Sequence, residues 1–561
     1  MNPSSIAEFS LQAAQRYIQS AVFIDDNIYN QASIDEVINV EVRQPKNVIQ
    51  PVPEEQATHV EGATADENPV VEAKRPFRTK DFVGAFAKHG IVCALYEPEP
   101  DFPTDEKSTV FKLCQTADFV ILDWDFGDVG VTGTKPKALI KELITSGNLV
   151  APHHVRLIAI FTNTQTLQSI GNSIYQHLLA QGVSIETMEH SPLRLQAGAT
   201  RILVLGKAGG VRRIEAEESF TVPENELANR MLQEFANMNQ GILPSCALLG
   251  MAAVRSNFRR ILDKFRADLD AQFLLHRALI RSSEEAFDQL PELLGDEFKA
   301  AIEDADFRPD NVDGFVAKSC DQIPVKPHSQ PWNVDGKKCE DVLKEFLSRE
   351  NFLSGLLRGK KAPETDGCQP KKTVESLALM CSVNDLQAHT RFASLLSGRT
   401  QYQVKHRDLG LGVILLDKAE KKYSVCIMPI CDSLRLKGPT AFPFWELVKV
   451  GKGHPVVVES SDGRLLKLVF KVGKPSLYLW MAKFTPDSTR GIVCATIDGS
   501  NKAVFKSGTT EFEWVGQLKP SHAQRIANAV GQQLSRVGLT EAEWARITFG
   551  VDPILETEPI L

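Results

Sequence analysis

Over the first 210 residues, short apolar runs alternate with amphipathic stretches. Residues 5–20 carry apolar side chains at helical spacing, and "SAVFIDDN" then reads as a short strand ending in Asp25 and Asp26. "TKDFVGAFAKHG" predicts a helix with Phe82, Val83 and Phe86 inward and Gly90 at its end. The strands "IVCALYEP" and "ADFVILDWD" follow, then the helix "KPKALIKELITS" and the strand "VRLIAIFTN". The helix "TLQSIGNSIYQHLLAQG" and the strand "TRILVLGKAG" close the series, and "VSIETMEHSPLRL" between them predicts an extra strand. Strands alternating with helices predict an α/β domain over residues 1–220, built on a doubly wound five-stranded parallel sheet. Residues 31–76 break the pattern, rich in Pro, Glu and Ala with little periodicity, and read as an exposed insertion.

From 221 to 358 the pattern turns helical. Phe258, Leu262, Phe265, Leu269 and Phe273 recur at three- and four-residue steps, a stripe that reads as a buried helix face or an oligomer seam, core packing being the preferred reading. Residues 359–389 read as a linker, "GKKAPETDGCQPKKT", followed by a helix. Residues 390–517 carry alternating runs, "LGVILLD", "YSVCIMPI", "HPVVVES", "LLKLVFKVG", "LYLWMAKF" and "GIVCATID", with Gly- and Asp-rich turns between them. They predict an all-β module, a small barrel or sandwich. Residues 518–561 add helices around 520–537 and 540–547.

Composition changes this picture little. The chain has 561 residues, 43% of them hydrophobic and 24% charged, with a net charge of −8. Those are ordinary values for a globular protein, and they give no global drive toward nucleic acid or an anionic membrane. Ten cysteines occur without a C-x-x-C pair, which reads as reduced thiols in a cytoplasmic protein. No apolar run approaches the ~18 residues of a membrane span.

The chemistry sits at the strand ends. "TADFVILDWDFGDVG" ends an apolar run in Asp123, with Asp125 and Asp128 close behind. In a parallel sheet the C-terminal ends share one edge, where ligands bind. That edge would collect Asp25 and Asp26 from the first strand, Asp123 from the third, Thr162 from the fourth and Lys207 from the fifth. Carboxylates ~4 Å apart at an effective dielectric of ~20 repel by about 4 kcal/mol per pair. A hard divalent cation with oxygen ligands, Mg²⁺ above all, relieves that repulsion. An ammonium and a hydroxyl beside it complete a pocket for a phosphoryl group on a carboxylate.

This order of residues resembles the receiver domain of two-component response regulators, a flavodoxin-like fold, over about residues 17–240. The resemblance implies that Asp123 is the phospho-acceptor and that Asp25 and Asp26 hold Mg²⁺. It implies that Asp125 completes the metal shell through its backbone carbonyl. Thr162 matches the switch hydroxyl, and Lys207 the lysine that contacts the phosphoryl group. The chain departs from the family pattern at Asn163, where a small residue is usual, and at Ala208, where proline is usual. Val204 stands where many receivers carry an aromatic. The implied partner is a histidine kinase, and the implied role is control of an unassigned C-terminal output module. A place in bacterial signalling or antiphage defence is the family-level expectation, and a homodimer is compatible with it.

Two other readings stay open. One is a scaffold that keeps the receiver fold without being phosphorylated. The other is a haloacid-dehalogenase-like phosphatase, with Asp123 as nucleophile and Asp125 as general acid and base; that class places its metal acids after the lysine, whereas here they lie upstream. In the C-terminal half, Cys431 stands beside Asp432 with only His406 and His454 as distant histidines, a weak case for a thiol nucleophile. The mildly basic turns "KHRDLG", "LRLKG" and "VKVGKGH" leave nucleic acid open as a partner.

Overall fold

The computed structural model describes residues 5–26, 28, 79–99, 102–126, 132–146, 155–209, 211–279, 287, 289–305, 315, 333–334, 337–338, 387–400, 407–449, 453–460, 463–472, 475–500 and 502–535. The insertion at 31–76, Asp128, the linker at 359–373, His406 and the helix expected around 540–547 lie outside them. The chain divides into two compact units, Met1–Lys264 with Asp296–Ser319, and Phe265–Gly295 with Cys320–Leu561.

The first unit begins with helix α1 (Ile6–Tyr17), whose N-cap Ser5 accepts a hydrogen bond from the Glu8 amide. Strand β1 (Ser20–Ile24), helix α2 (Thr79–Ala87) and strand β2 (Val92–Tyr96) follow. Next come α3 (Thr109–Thr116), β3 (Phe119–Leu122), α4 (Thr134–Thr145), β4 (Arg156–Thr162) and α5 (Leu167–Ala180). A hairpin of β5 (Glu186–Met188) and β6 (Ser191–Ala197) leads into β7 (Thr200–Lys207). A short helix, α6 (Glu215–Glu218), and a two-residue strand, β8 (Thr221–Val222), complete the sheet.

Five strands run parallel in the order β2-β1-β3-β4-β7, the doubly wound arrangement that the alternating pattern predicts. Two additions extend it. The run expected as one extra strand forms the antiparallel pair β5 and β6 outside β7, and β8 returns parallel to the end of β7. β3 and β4 are buried along their whole length, as strands covered by helices on both faces must be. Phe82 and Phe86 of α2 are buried, Phe82 packing against Phe23 of β1 and Phe86 against Phe82.

Helices α7 (Leu227–Met238) and α8 (Ile242–Lys264) come next in the same unit. Leu227, Met231, Leu232 and Phe235 of α7 are buried in the same core as the sheet. α8 is tied to the N-terminal ends of β1 and β3 through Asp118. That carboxylate accepts from the backbone amides of Gln19 and Ser20 and from both terminal nitrogens of Arg255, all at 2.9–3.0 Å.

The apolar stripe is a correction. α8 ends at Lys264, and α9 (Asp270–Leu279) starts after a break, so no single helix face carries the five residues. Phe258, Leu262, Phe265 and Leu269 are 41–51% exposed, not buried. Periodicity alone presumed a continuous helix that the chain does not form. Helix α10 (Leu290–Glu303) and a two-residue hairpin of β9 (Asn333–Val334) and β10 (Lys337–Lys338) come before the β-rich part.

That part opens with α11 (Ala388–Ser397), β11 (Val413–Asp417) and β12 (Tyr423–Cys426). β13 (Thr440–Val448), β14 (His454–Glu459) and β15 (Leu465–Phe470) follow, then a four-residue helix, α12 (Pro475–Tyr478), and β16 (Leu479–Phe484). β17 (Thr496–Ile497), β18 (Ala503–Ser507), β19 (Thr510–Gln517) and α13 (Pro520–Leu534) end it. The strands form one nine-stranded sheet, and every pair is antiparallel. Alternate residues feed two cores: Ile414 and Val425 belong to one, which α13 covers, and Val413, Leu415 and Cys426 to the other. β13 pairs with β12, β15 and β16, yet the sequence reading passes over it because Pro443 interrupts its run.

Candidate functional site

The ends of β1, β3 and β7 bring three charged side chains together. Asp25 and Asp123 stand one residue beyond the pair Ile24 and Leu122, so both project from one face of the sheet. Lys207 stands two residues beyond Leu205, which pairs with Phe161 on that face. Its Nζ donates to Asp25 Oδ2 at 3.1 Å and to Asp123 Oδ1 at 2.9 Å. The three side chains are only 5–12% exposed. The ammonium also lies over the rings of Phe23 and Phe161, 5.5 and 5.7 Å from their centroids. The second oxygen of Asp123 accepts from the Asp125 backbone amide at 3.0 Å.

Burial, the largest influence, pushes the Asp123 pKa above its ordinary carboxylate value; Lys207 opposes the shift and Asp25 adds to it. For Lys207, burial disfavours the ammonium. The charges of Asp123 and Asp25 together outweigh that, and its pKa is raised. One buried ammonium thus faces two carboxylates.

The other residues singled out from the sequence lie close by. Asp26 follows Asp25 in the turn, half-buried, and Asp125 is exposed. Thr162 is fully buried at the end of β4. Its hydroxyl accepts from the Thr164 amide at 3.2 Å and lies 3.0 Å from the Thr164 hydroxyl. In the pleat Thr162 pairs with Gly206, one step out of phase with Lys207. Asp25, Asp123 and Lys207 are therefore brought together, and Thr162 is held within its own loop.

Trp124, the residue after Asp123, is buried. Gly133, at φ +82°, caps α4, and a Cβ there would collide with the Trp124 ring. Gly133→Ala should therefore cost about 2–4 kcal/mol, combining left-handed strain with overpacking. Denaturant unfolding checks this, and an unchanged midpoint would mean that the ring is not packed on this turn.

Sequence reasoning missed Arg213, which follows Lys207 by six residues. Its guanidinium donates to the carbonyls of Lys207, Thr162 and Thr164 at 2.9–3.3 Å. Nearby, buried Glu217 accepts from the Gln168 amide at the start of α5. A charged residue in a loop past the last strand carries no periodic signal that would single it out.

Among the described residues, no group of three or more His, Cys, Asp or Glu side chains is arranged to hold a metal ion. Asp25 and Asp123 nevertheless converge on one cation, the Lys207 ammonium. Two carboxylates completed by water are a donor set that Mg²⁺ accepts. In the C-terminal half, the Cys431 thiol is exposed and lies 3.5 Å from Asp432 Oδ1.

The fold is a doubly wound α/β domain, and two acids and a lysine converge at the C-terminal edge of its sheet, where open α/β sheets bind ligands. Residues 17–212 match the family model described as the response receiver domain, and the resemblance expected from the sequence is found over that stretch. No curated protein and no solved structure matched the chain. A receiver domain points to response-regulator-like signalling. Among the described residues, no helix is long and apolar enough to cross a membrane.

Proposed function

We propose that the N-terminal domain takes a phosphoryl group onto Asp123 and that this controls the C-terminal β-rich part. The observation that carries the reading is the Lys207 ammonium held between Asp25 and Asp123 in a domain that matches receivers. The donor is a phosphohistidine of a histidine kinase or a small acyl phosphate. An oxygen of the Asp123 carboxylate attacks phosphorus, the P–N or P–O bond to the donor breaks, and the donor leaves with that electron pair. The product is an acyl phosphate on Asp123. Receiver domains generally use Mg²⁺ for this chemistry. Asp25, Asp26, Asp123 and the Asp125 carbonyl would hold it here, where it would offset the charge of the transferring group.

The chain's own residues supply the rest. Lys207 keeps Asp123 oriented through a charge-assisted hydrogen bond and offers an ammonium to the incoming oxygens. The Asp125 amide fixes the second Asp123 oxygen. Thr162 enters as the switch hydroxyl and would have to leave Thr164 to reach a phosphoryl group. Such a rearrangement biases a two-state element, which is how a local charge becomes a signal. A cytoplasmic location in a bacterium accords with a phosphohistidine donor, and a role in phage defence stays with the proposal.

The test is intact-mass measurement of the full chain after incubation with acetyl phosphate. Uptake of one phosphoryl group is expected with Mg²⁺ and not with excess chelator. No uptake with Mg²⁺ from acetyl phosphate or a panel of phosphorylated kinases would leave the scaffold reading in its place.

A further inference from the structure

We infer that Arg213 is the positioning residue of this site: it grips the backbone at the ends of β4 and β7 so that the Lys207 ammonium reaches Asp25 and Asp123. The inference rests on the phospho-acceptor reading and adds to it a residue outside the acid, threonine and lysine set.

Three observations carry it. First, the contacts are to backbone and they converge. One guanidinium nitrogen of Arg213 donates to the Lys207 carbonyl at 2.9 Å. The other donates to the carbonyls of Thr162 at 3.1 Å and Thr164 at 3.3 Å. The end of β7 and the loop after β4 are thus fixed to one rigid planar group. Second, the packing is close and built for this side chain. Arg213 is 91% buried, being 9% exposed, and lies flat against Gly206. A Cβ at Gly206 would stand 2.6 Å from Arg213 Nε, so the neighbour of Lys207 must be glycine for the guanidinium to fit. Third, the arrangement costs free energy that packing alone does not explain. Burial, with Glu217 opposing, lowers the Arg213 pKa, and its Nε has no hydrogen-bond partner.

The geometry explains how Arg213 acts through Lys207. Successive residues of a strand point to opposite faces. Gly206 gives its face to Arg213, and Lys207 sends its side chain to the face of the acids. The carbonyl of Lys207 is held from one side while its ammonium is delivered to the other. The segment that carries Arg213 is itself anchored, because the Gly206 and Ala208 amides donate to the carbonyls of Phe220 and Val222. Glu217, four residues on, holds the start of α5. Displacing the guanidinium would free the strand end and loosen the ammonium without removing any group from the site.

The test uses the full chain as wild type, Arg213→Gln, Arg213→Lys and Gly206→Ala, with exposed Arg212→Gln as the control. Two quantities are read: the rate of phosphoryl uptake from acetyl phosphate with Mg²⁺, and the acetylation of Lys207 by acetic anhydride relative to the other lysines. A misplacement on the ångström scale costs up to ~100-fold in rate, so uptake about 10- to 100-fold slower is expected in the three variants. Lysine at 213 should not rescue, because one ammonium cannot span three carbonyls as the planar fork does. Lys207 labelling should rise selectively, whereas general loosening would raise many lysines together. Should Arg213→Gln not fold, Gly206→Ala carries the test, since it displaces the guanidinium and leaves Arg213 in place. Wild-type rates and labelling in folded variants would overturn the inference with the phospho-acceptor reading intact. No uptake by wild type would overturn that reading, and the labelling arm would still decide whether Arg213 positions Lys207.

Discussion

Asp123→Asn will abolish uptake of a phosphoryl group from acetyl phosphate while leaving the domain folded. An amide keeps the shape of the side chain and one acceptor oxygen for the Lys207 ammonium, but it lacks the anionic oxygen that attacks phosphorus. Folding should survive, because the substitution removes a buried charge that Asp25 repels. The wild type should also lose activity on the acid side earlier than an ordinary carboxylate would. Burial raises the Asp123 pKa above 3.8, so the nucleophilic form is depleted as the pH falls toward that raised value. Intact mass, followed over time and across pH, checks both points. An asparagine variant that still gains a phosphoryl group at the wild-type rate would place the acceptor elsewhere and remove Asp123 from the mechanism.

Much of this arrangement was legible because strand ends in a parallel sheet have a fixed relation. Each buried strand announces itself as an apolar run, and the residue that ends it must lie at the shared edge. Asp25, Asp123 and Lys207, separated by up to 182 positions, could therefore be placed together before any coordinates. Side-chain direction was less legible. A shift of one residue changes the face, and Thr162 falls out of phase with Lys207 in a way that only the register with Gly206 reveals. Arg213 was illegible for a different reason. It works through backbone carbonyls, and no residue type or spacing marks a guanidinium that will fold back on the strand before it. In the second unit, Pro443 hid the strand that joins three others, because proline argues against a central strand from sequence alone. The stripe from Phe258 to Phe273 misled because a helical period persists across a break that lies between Lys264 and Asp270.

Lys207→Met will reduce stability more than any other single change at this edge, and the loss will depend on pH. Methionine keeps the apolar stem over Phe23 and Phe161 but leaves Asp25 and Asp123 facing each other with no ammonium between them. Breaking a buried ion pair by removing one partner typically costs about 3–5 kcal/mol. The Lys207 side chain is only 11% exposed, so solvent does little to soften that figure. The pH dependence follows from the direction of each shift. The Lys207 pKa is raised in the folded state, so its contribution is complete below the unfolded value of 10.5 and disappears as the pH rises through the higher folded value. Asp123 also has a raised folded pKa, and losing Lys207 raises it further, because Lys207 is the group that lowers it. In the variant, then, the penalty is absent below the unfolded value of 3.8 and grows as the pH climbs through the folded value. The difference between the two proteins should be largest between those windows and shrink at both extremes. Denaturant unfolding at a series of pH values measures it directly. A second substitution, Asp25→Asn, should restore part of the loss at neutral pH by removing one of the two facing charges. A difference that is small, or flat across pH, would show that the ammonium is not what holds the two carboxylates together.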